Sequence, residues 1–453
     1  MSITRVLVAN RGEIAVRIIK ACRALGIESV AAVSQADKES LPARTADRAV
    51  CIGPPRSADS YLKIESIIAA ALGTGSNAVH PGYGFLAEKP ELAEACAKHG
   101  LTFIGPRPEN IRQMGNKLLA RAAVSEFGIP VVPGSKKVKN LAEASRIAQE
   151  IGFPVLCKAA AGGGGRGIKI VADPKQLREA FETAAAEARA AFGDDTLYFE
   201  RYIPNARHIE VQVLGDRFGN VIHVGERDCS LQRRYQKVIE EAPAPRLSEA
   251  LREEIRQAAA TVARNLHYEN AGTVEFIVDQ DRGAFYFLEV NTRIQVEHPV
   301  TEMITGIDLV QEQIRIADGQ PLSLSQSEVR FSGHAIECRI TAESPSHAFR
   351  PCPGSIVEWR PPEGPSVRVD SHCFSGYVVP PFYDSLLAKL ITRGDDRSEA
   401  VERMRLALEN FTVRGVDTVI PFLRFLLHHP DYTAGKVNTR WLEAQVEQFS
   451  HCA

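Results

Sequence analysis

Two glutamates, Glu275 and Glu289, stand where a β-hairpin would set them side by side. The segment VEFIVDQDRGAFYFLEV places strand-forming residues on both sides of a turn centred near Arg282, so the two carboxylates fall opposite each other. Opposed side chains on one sheet face have Cβ atoms about 4.5–5.5 Å apart. Carboxylates that close repel, and apolar neighbours desolvate them; a bound cation resolves the conflict. Oxygen donors favour magnesium or manganese over a soft metal. Asn291 lies two residues on and shares the face, giving a Glu, Glu, Asn set suited to bridging ATP phosphates. A solvated sheet face with unrelated polar residues accounts for this spacing equally well. The string that follows favours the metal site.

That string is N-T-R-I-Q-V-E-H-P. Read as extended chain, Asn291, Arg293, Gln295 and Glu297 point one way, and Thr292, Ile294 and Val296 the other. Arg293 offers a forked donor for a small anion, and Glu297 a base beside it. A polar edge strand is the plainer alternative.

Upstream, Gly162–Gly167 reads GGGGRG. Successive glycines are entropically costly, and they suit a backbone that approaches phosphates or turns very tightly. It is not a Walker A loop, because no Lys-Ser or Lys-Thr follows; a lid tip without ligand is the alternative. Lys158, in the apolar strand VLCKA, needs an anionic partner, which a nucleotide phosphate would supply. Lys117 precedes a helix and alone would be a surface lysine. RDCSLQRRYQK at 227–237 carries Arg227, Arg233, Arg234 and Lys237, either a solvated basic face or contacts to phosphate or bicarbonate. Cys229 reads as a structural thiol. His298 reads as structural or as a local hydrogen-bond donor rather than a zinc ligand.

Positioning these groups takes several α/β units. The chain has 453 residues, 44% hydrophobic and 24% charged, an ordinary globular balance for two to four domains. A net charge of -2 and the lack of a recognisable motif disfavour a nucleic-acid partner. No apolar run reaches membrane-span length, and MSITRVLVANRGE opens as a strand rather than an export signal. Nine cysteines without a CxxC pair fit a reducing cytoplasm. Residues 5–9, a helix through 14–25 and a strand at 29–33 form a βαβ opening, and a bend at 105–110 ends the first domain. Expected helices cover 118–127, 174–191, 247–267, 307–318, 398–410, 421–428 and 440–448. Expected strands cover 153–159, 169–172, 196–202, 208–214, 221–226, 273–278 and 285–290, with a further strand in GHAIECRITAE.

Taken in order, VLVANRGEIAVRII (6–19), HPGYGFLAE (80–88), KAAAGGGGRGIKIV (158–171), ERDCSLQRRYQKVIEEAPAP (226–245), LEVNTRIQVEHPVTEMITGIDLV (288–310), GHAIECRI (333–340) and PFYDSLLAKLI (381–391) span nearly the whole chain. The sequence resembles the biotin carboxylase component of biotin-dependent carboxylases, in the ATP-grasp superfamily. The resemblance implies a multidomain α/β and α+β fold. Its parts would be an N-terminal Rossmann-like domain at 1–113, an ATP-grasp region at 114–330 with a mobile lid at 131–203, and a C-terminal biotin carboxylase domain at 331–447. It implies that ATP phosphorylates bicarbonate to carboxyphosphate, and that carbon dioxide released from it carboxylates N1 of biotin.

By the same resemblance, Lys117, Lys158, Gly162, Gly163, Gly164, Gly165, Gly167, Glu200, Ile203, His208 and Gln232 would contact ATP. Lys237 would reach the terminal phosphate. Glu275 and Glu289, with Asn291 close by, would hold magnesium or manganese. Arg293, Gln295 and Val296 would hold bicarbonate, and Glu297 would deprotonate it. Arg339 would stabilise the biotin enolate, with Tyr83 and Asp384 positioning the ring. Biotin would arrive on a separate biotin carboxyl carrier protein, with carboxyltransferase subunits completing an acetyl-CoA or related carboxylase, as in fatty acid biosynthesis. A homodimer in the cytoplasm is expected. Three departures from the family pattern are Tyr235 for histidine, Arg201 for lysine and Ile168 for methionine. An ATP-grasp ligase joining another carboxylate to an amine would not need Arg339, Tyr83 or the RIQVE string. A non-catalytic nucleotide-binding subunit would tolerate damage at Glu297, Lys237 or the paired glutamates, and these are intact.

Overall fold

The computed structural model describes residues 2–138, 140–160 and 168–452. The N-terminal strands β1 (Arg5–Val8), β2 (Glu28–Ser34), β3 (Arg48–Gly53), β4 (Ala78–His80) and β5 (Thr102–Phe103) form a parallel sheet in the order β3-β2-β1-β4-β5. Helix α1 (Gly12–Ala24) crosses between β1 and β2 and buries Ile14, Ile18 and Ile19. This is the expected βαβ opening. The bend expected at 105–110 continues into a helix at Pro108–Gly115, with proline in the first turn, where its missing N–H is harmless.

Helix α2 (Lys117–Glu126) leads into a small three-stranded module of β6 (Val155–Ala159), β7 (Ile168–Val171) and β8 (Leu197–Arg201), order β7-β6-β8. Helix α3 (Leu177–Phe192) packs on it, with Ala184 and Ala188 in a core of its own.

The rest is organised by one eight-stranded antiparallel sheet. Its strands are β9 (Ala206–Gly215), β10 (Val221–Arg233), β11 (Gln236–Ala242), β12 (Asn270–Asp279), β13 (Ala284–Asn291), β14 (His334–Thr341), β15 (Val367–Ser371) and β16 (Leu386–Gly394). Their order is β13-β12-β9-β10-β11-β14-β16-β15. The expected 114–330 and 331–447 units therefore share a sheet, joined where β11 pairs with β14. Helix α4 (Glu249–Asn265) covers β9 and β10, while α5 (His298–Thr305) lies over β10, β11, β14 and β16. Helix α6 (Leu309–Ala317) packs on β12 and α1, and α7 (Arg397–Glu409) packs on β14 and β16. Among the described residues, no helix is long and apolar enough to cross a membrane.

Candidate active site

The hairpin brings Glu275 and Glu289 opposite each other through a bulge. Asp279 pairs with Ala284 at the turn, and a regular ladder from there would set Glu275 against Leu288. The register shifts between Glu275 and Phe276, Phe276 meets Phe287, and Glu275 meets Glu289. On the other side of β12, Glu275 pairs with Glu210 of β9, which in turn pairs with Arg227 of β10. Three glutamates thus form a row across three strands. Glu210 carried a signal in the sequence: His208, Glu210 and Gln212 alternate with the apolar Ile209, Val211 and Val213.

Lys237 of β11 closes over this row. Its Nζ lies 2.6 Å from Glu210, 3.1 Å from Glu275 and 2.5 Å from Glu297. Burial opposes the ammonium charge, but Cys229, Glu210, Glu275 and Glu297 together raise its pKa well above the usual lysine range. Burial pushes the Glu297 carboxyl up; Lys237, then Arg339 and Arg227, reverse this and hold it well below the usual carboxylate range. Glu275 is held low in the same way, by Lys237 and then His208, against the upward push of burial.

The 291–297 string is not an extended strand. β13 ends at Asn291, and α5 begins at His298, with Pro299 in its first turn. Glu297 occupies the N-cap position, yet its carboxylate makes no capping bond and turns to Lys237 instead. The polar groups converge all the same. Asn291 Nδ2 donates to Glu275 at 2.8 Å, and Arg293 donates to Asn291 and Gln295. Arg293 also pairs with Glu88 at 3.0 Å. Lys389 of β16 donates to the Val296 carbonyl at 2.9 Å. His298 Nδ1 lies 2.8 Å from the Gln295 carbonyl, which fits its expected local role.

Arg339 of β14 links this cluster to the next. Its guanidinium lies 2.5 Å from Glu240 and 3.0 Å from Glu297. Tyr83, half-buried in the HPGYG loop, donates its hydroxyl to Glu13. Asp384 is exposed and accepts from the Leu386 amide at 3.0 Å. All these elements face one cavity of about 920 Å³, lined by Tyr83, Lys117, Lys158, His208, Gln232, Lys237, Glu275, Glu289, Asn291, Arg293, Gln295, Val296, Arg339 and Asp384.

At its other end, Lys158 finds its anion in Glu200, at 2.7 Å. Arg121 of α2 bonds the other Glu200 oxygen. Lys117 pairs with Glu289 at 3.1 Å. His208 Nε2 lies 3.0 Å from Glu275, and its Nδ1 lies 3.1 Å from Gln232. Ile203 is buried with Val132 and Ala206 near Tyr286, whose hydroxyl accepts from Arg201 at 3.0 Å. Gly162, Gly163, Gly164, Gly165 and Gly167 lie outside the described residues.

The basic cluster at 227–237 separates. Arg227 is fully buried, bonded to Glu210, Gln212, Thr273 and Thr301. Arg233 pairs with Glu343 and stacks on Phe349, while Arg234 is exposed at the β10–β11 turn. Of the four, Lys237 alone lines the cavity. Cys229, expected to be merely structural, has its sulfur 3.7 Å from the Glu297 carboxylate. Glu240 and Arg121 had no local sequence signal.

Glu275, Glu289 and Asn291 fit a hard divalent cation. All three line the cavity, two are a cross-strand pair, and oxygen donors are what magnesium takes.

Three family models match the chain: the N-terminal domain of biotin carboxylase over residues 2–111, the ATP-binding domain of the carbamoyl-phosphate synthase L chain over 116–325, and the C-terminal domain of biotin carboxylase over 337–444. Biotin carboxylase 1 of Bacillus subtilis is 52% identical over 442 residues, covering 97% of this chain and 98% of its own. A pyruvate carboxylase subunit of Methanothermobacter thermautotrophicus is 50% identical over 441 residues, covering 97% and 89%. Among solved structures, the biotin carboxylase–β,γ-ATP complex of Campylobacter jejuni superposes with a TM-score of 0.95 at 47% identity, covering 98% of this chain and 99% of that one. The biotin carboxylase domain dimer of Hydrogenobacter thermophilus 2-oxoglutarate carboxylase, with MgADP, ADP and bicarbonate, gives 0.95 at 48% identity, covering 99% of each chain. The sequence matches and the superpositions each cover nearly the whole of this chain, and the chain belongs to the biotin carboxylase family.

Proposed function

We propose that the cavity carries out ATP-dependent carboxylation of biotin, with bicarbonate activated at one end and biotin received at the other. The observation that carries this is the line Lys237–Glu297–Arg339, in which the buried Glu297 joins two residues that line one cavity, Lys237 with the paired-glutamate hairpin and Arg339 with Tyr83 and Asp384. Lys117, Lys158, His208 and Gln232 line the nucleotide end, with Glu200 fixing Lys158 and Ile203 offering an apolar surface nearby. The glycine run would close over the phosphates. A magnesium ion held by Glu275 and Glu289, with Asn291 beside them, supplies charge neutralisation for phosphoryl transfer, and manganese suits the same donors.

Arg293, Gln295 and the backbone at Val296 hold bicarbonate, and Glu297 takes its proton so that it attacks the terminal phosphate of ATP. A carboxylate pinned by Lys237 is a weak base. The anionic phosphates compete for the same ammonium, so Lys237 swings its charge from the base to the nucleotide, and Glu297 gains basicity once ATP is in place. Carbon dioxide released from carboxyphosphate then meets biotin, with the enolate oxygen facing Arg339 and the ring set by Tyr83 and Asp384.

Biotin borne on a carrier protein, with carboxyltransferase subunits downstream, follows from the relatives' place in biotin-dependent carboxylases. So does a homodimer, the state of the Hydrogenobacter thermophilus domain. The free cysteines, mostly buried, suit a cytoplasmic setting. The test measures bicarbonate-dependent ATP hydrolysis with magnesium, with and without free biotin, and traps labelled carboxybiotin. Stimulation by biotin together with trapped product is expected. Folded protein that yields neither overturns the proposal.

A further inference from the structure

Directly beneath Arg339, two more glutamates face each other. Glu240 of β11 and Glu337 of β14 are Cα partners in the antiparallel ladder, and both are completely buried. They lie on the sheet face that α5 covers; the neighbouring residues Ile239, Ile336 and Cys338 point into the apolar core on the other side. Glu240 spends Oε1 on the Arg339 guanidinium, at 2.6 Å from Nε. Its Oε2 has no hydrogen-bond partner, and neither oxygen of Glu337 has one. The nearby cations are committed elsewhere. Arg339 bridges Glu240 and Glu297, Lys389 serves the Val296 carbonyl, Glu13 and Asp370, and Lys237 serves the glutamate row. Three carboxylate oxygens are therefore orphaned in a fully buried, paired arrangement, which two full charges cannot sustain.

We propose that Glu337 is a positioning residue for the carboxylation: as a neutral acid it donates its proton in a hydrogen bond to Glu240 Oε2, and this acid–carboxylate pair fixes Arg339 against Glu297 at the biotin end of the cavity. The proton is shared and not consumed, so the pair is unchanged after each turnover. Opposed side chains on a ladder have Cβ atoms about 4.5–5.5 Å apart, within reach for two glutamate arms. The electrostatics agree. Burial, with repulsion from Glu297, pushes Glu240 up to about 7 despite Arg339. Burial and Glu240 push Glu337 well above the carboxylate range despite Lys389 and Arg339. Glu337 is thus the member of the pair that keeps the proton. No local pattern marks it, because Glu337 in GHAIECRI looks like any polar residue of a strand.

The role of this pair rests on the function proposed above, and the experiment separates the two. Infrared spectra of the full chain at neutral pH should show the C=O stretch of a protonated carboxyl that Glu337→Gln removes. In biotin-stimulated ATP hydrolysis, Glu337→Leu should raise KM for free biotin about tenfold or more, the effect of losing one hydrogen bond to a charged group. Glu337→Gln, which still donates, should rescue most of that loss. At alkaline pH the wild-type KM should climb as Glu337 ionises and the two carboxylates repel, whereas the Gln variant should stay flat. An absent band, or a Gln variant as impaired as the Leu variant, overturns the pair. Wild-type protein that biotin does not stimulate overturns the function instead, and the infrared band still decides the pair.

Discussion

Replacing Glu297 by glutamine tests the proposed base with little change of shape. The carboxylate is 1% exposed and meets Lys237 at 2.5 Å and Arg339 at 3.0 Å. In the variant both cations keep partners, because Lys237 retains Glu210 and Glu275, and Arg339 retains Glu240. The amide oxygen can still accept from one of the two cations but its NH2 group cannot accept from the other, so the structural penalty is at least that of one lost charged hydrogen bond, roughly 1.5–3 kcal/mol. The amide cannot take a proton from bicarbonate. A positioned general base contributes about 10²–10⁴-fold, or roughly 2.7–5.5 kcal/mol of barrier. The assay pairs bicarbonate-dependent ATP hydrolysis under saturating substrates with thermal unfolding of the same preparation. The expected result is a fall in kcat of at least about a hundredfold in protein that is still folded at the assay temperature. Folded variant with kcat within about tenfold of wild type would remove Glu297 from the role of base.

Lys237→Met leaves the buried carboxylates of Glu210, Glu275 and Glu297 without their shared cation, and removing one partner of a buried ion pair costs about 3–5 kcal/mol; chemical denaturation should show a loss of that order, with the KM for ATP raised. Glu289→Gln should weaken the metal site while Glu275 keeps its bonds to Asn291 and Lys237, so activity should need more magnesium, read as a rise in its half-saturating concentration; an unchanged magnesium dependence would argue against Glu289 as a ligand. A pH effect should also appear at Glu241, next to Glu240 on β11. Burial pushes this carboxyl up, but the His334 bond and the Arg397 fork hold it well below the usual carboxylate range. Its stabilisation is therefore present above about pH 4.5, near an ordinary glutamate pKa, and is lost as pH falls through the lowered value. Glu241→Gln should flatten the acid limb of a stability-versus-pH curve, measured by urea unfolding.

Local pattern carried the hairpin. Strand-forming residues flanking a turn near Arg282 placed Glu275 against Glu289, and the protein reaches that pairing with a bulge that takes up the extra residue, Leu288. The 291–297 string was legible in its chemistry but not in its shape. Pro299, a first-turn residue, marks the start of α5 and ends the extended reading that alternation suggested. What stayed hidden is the convergence itself. Arg339 meets partners 99 and 42 residues away, and Lys237 meets Glu297 across 60. Such contacts depend on strand order, which spacing within a segment does not encode. The same holds for Arg227, whose basic neighbourhood suggested either a solvated face or an anion contact and whose partners sit on β9, β12 and α5. Cys229 gave no signal because a lone thiol beside a carboxylate has no motif.

The eight-stranded sheet has a practical consequence for anyone who divides this chain. Cutting near residue 331 would free β11 along the whole edge where Ile239, Glu240, Glu241 and Ala242 pair with β14. It would also take Arg339 away from Glu240. A bare central strand with an apolar face is a template for another chain, so the N-terminal piece should aggregate rather than persist as a nucleotide-binding unit. Fusions and domain exchanges in this scaffold should keep residues 206–394 together, because Lys237, Glu275, Glu289 and Arg339 stand on one continuous ladder.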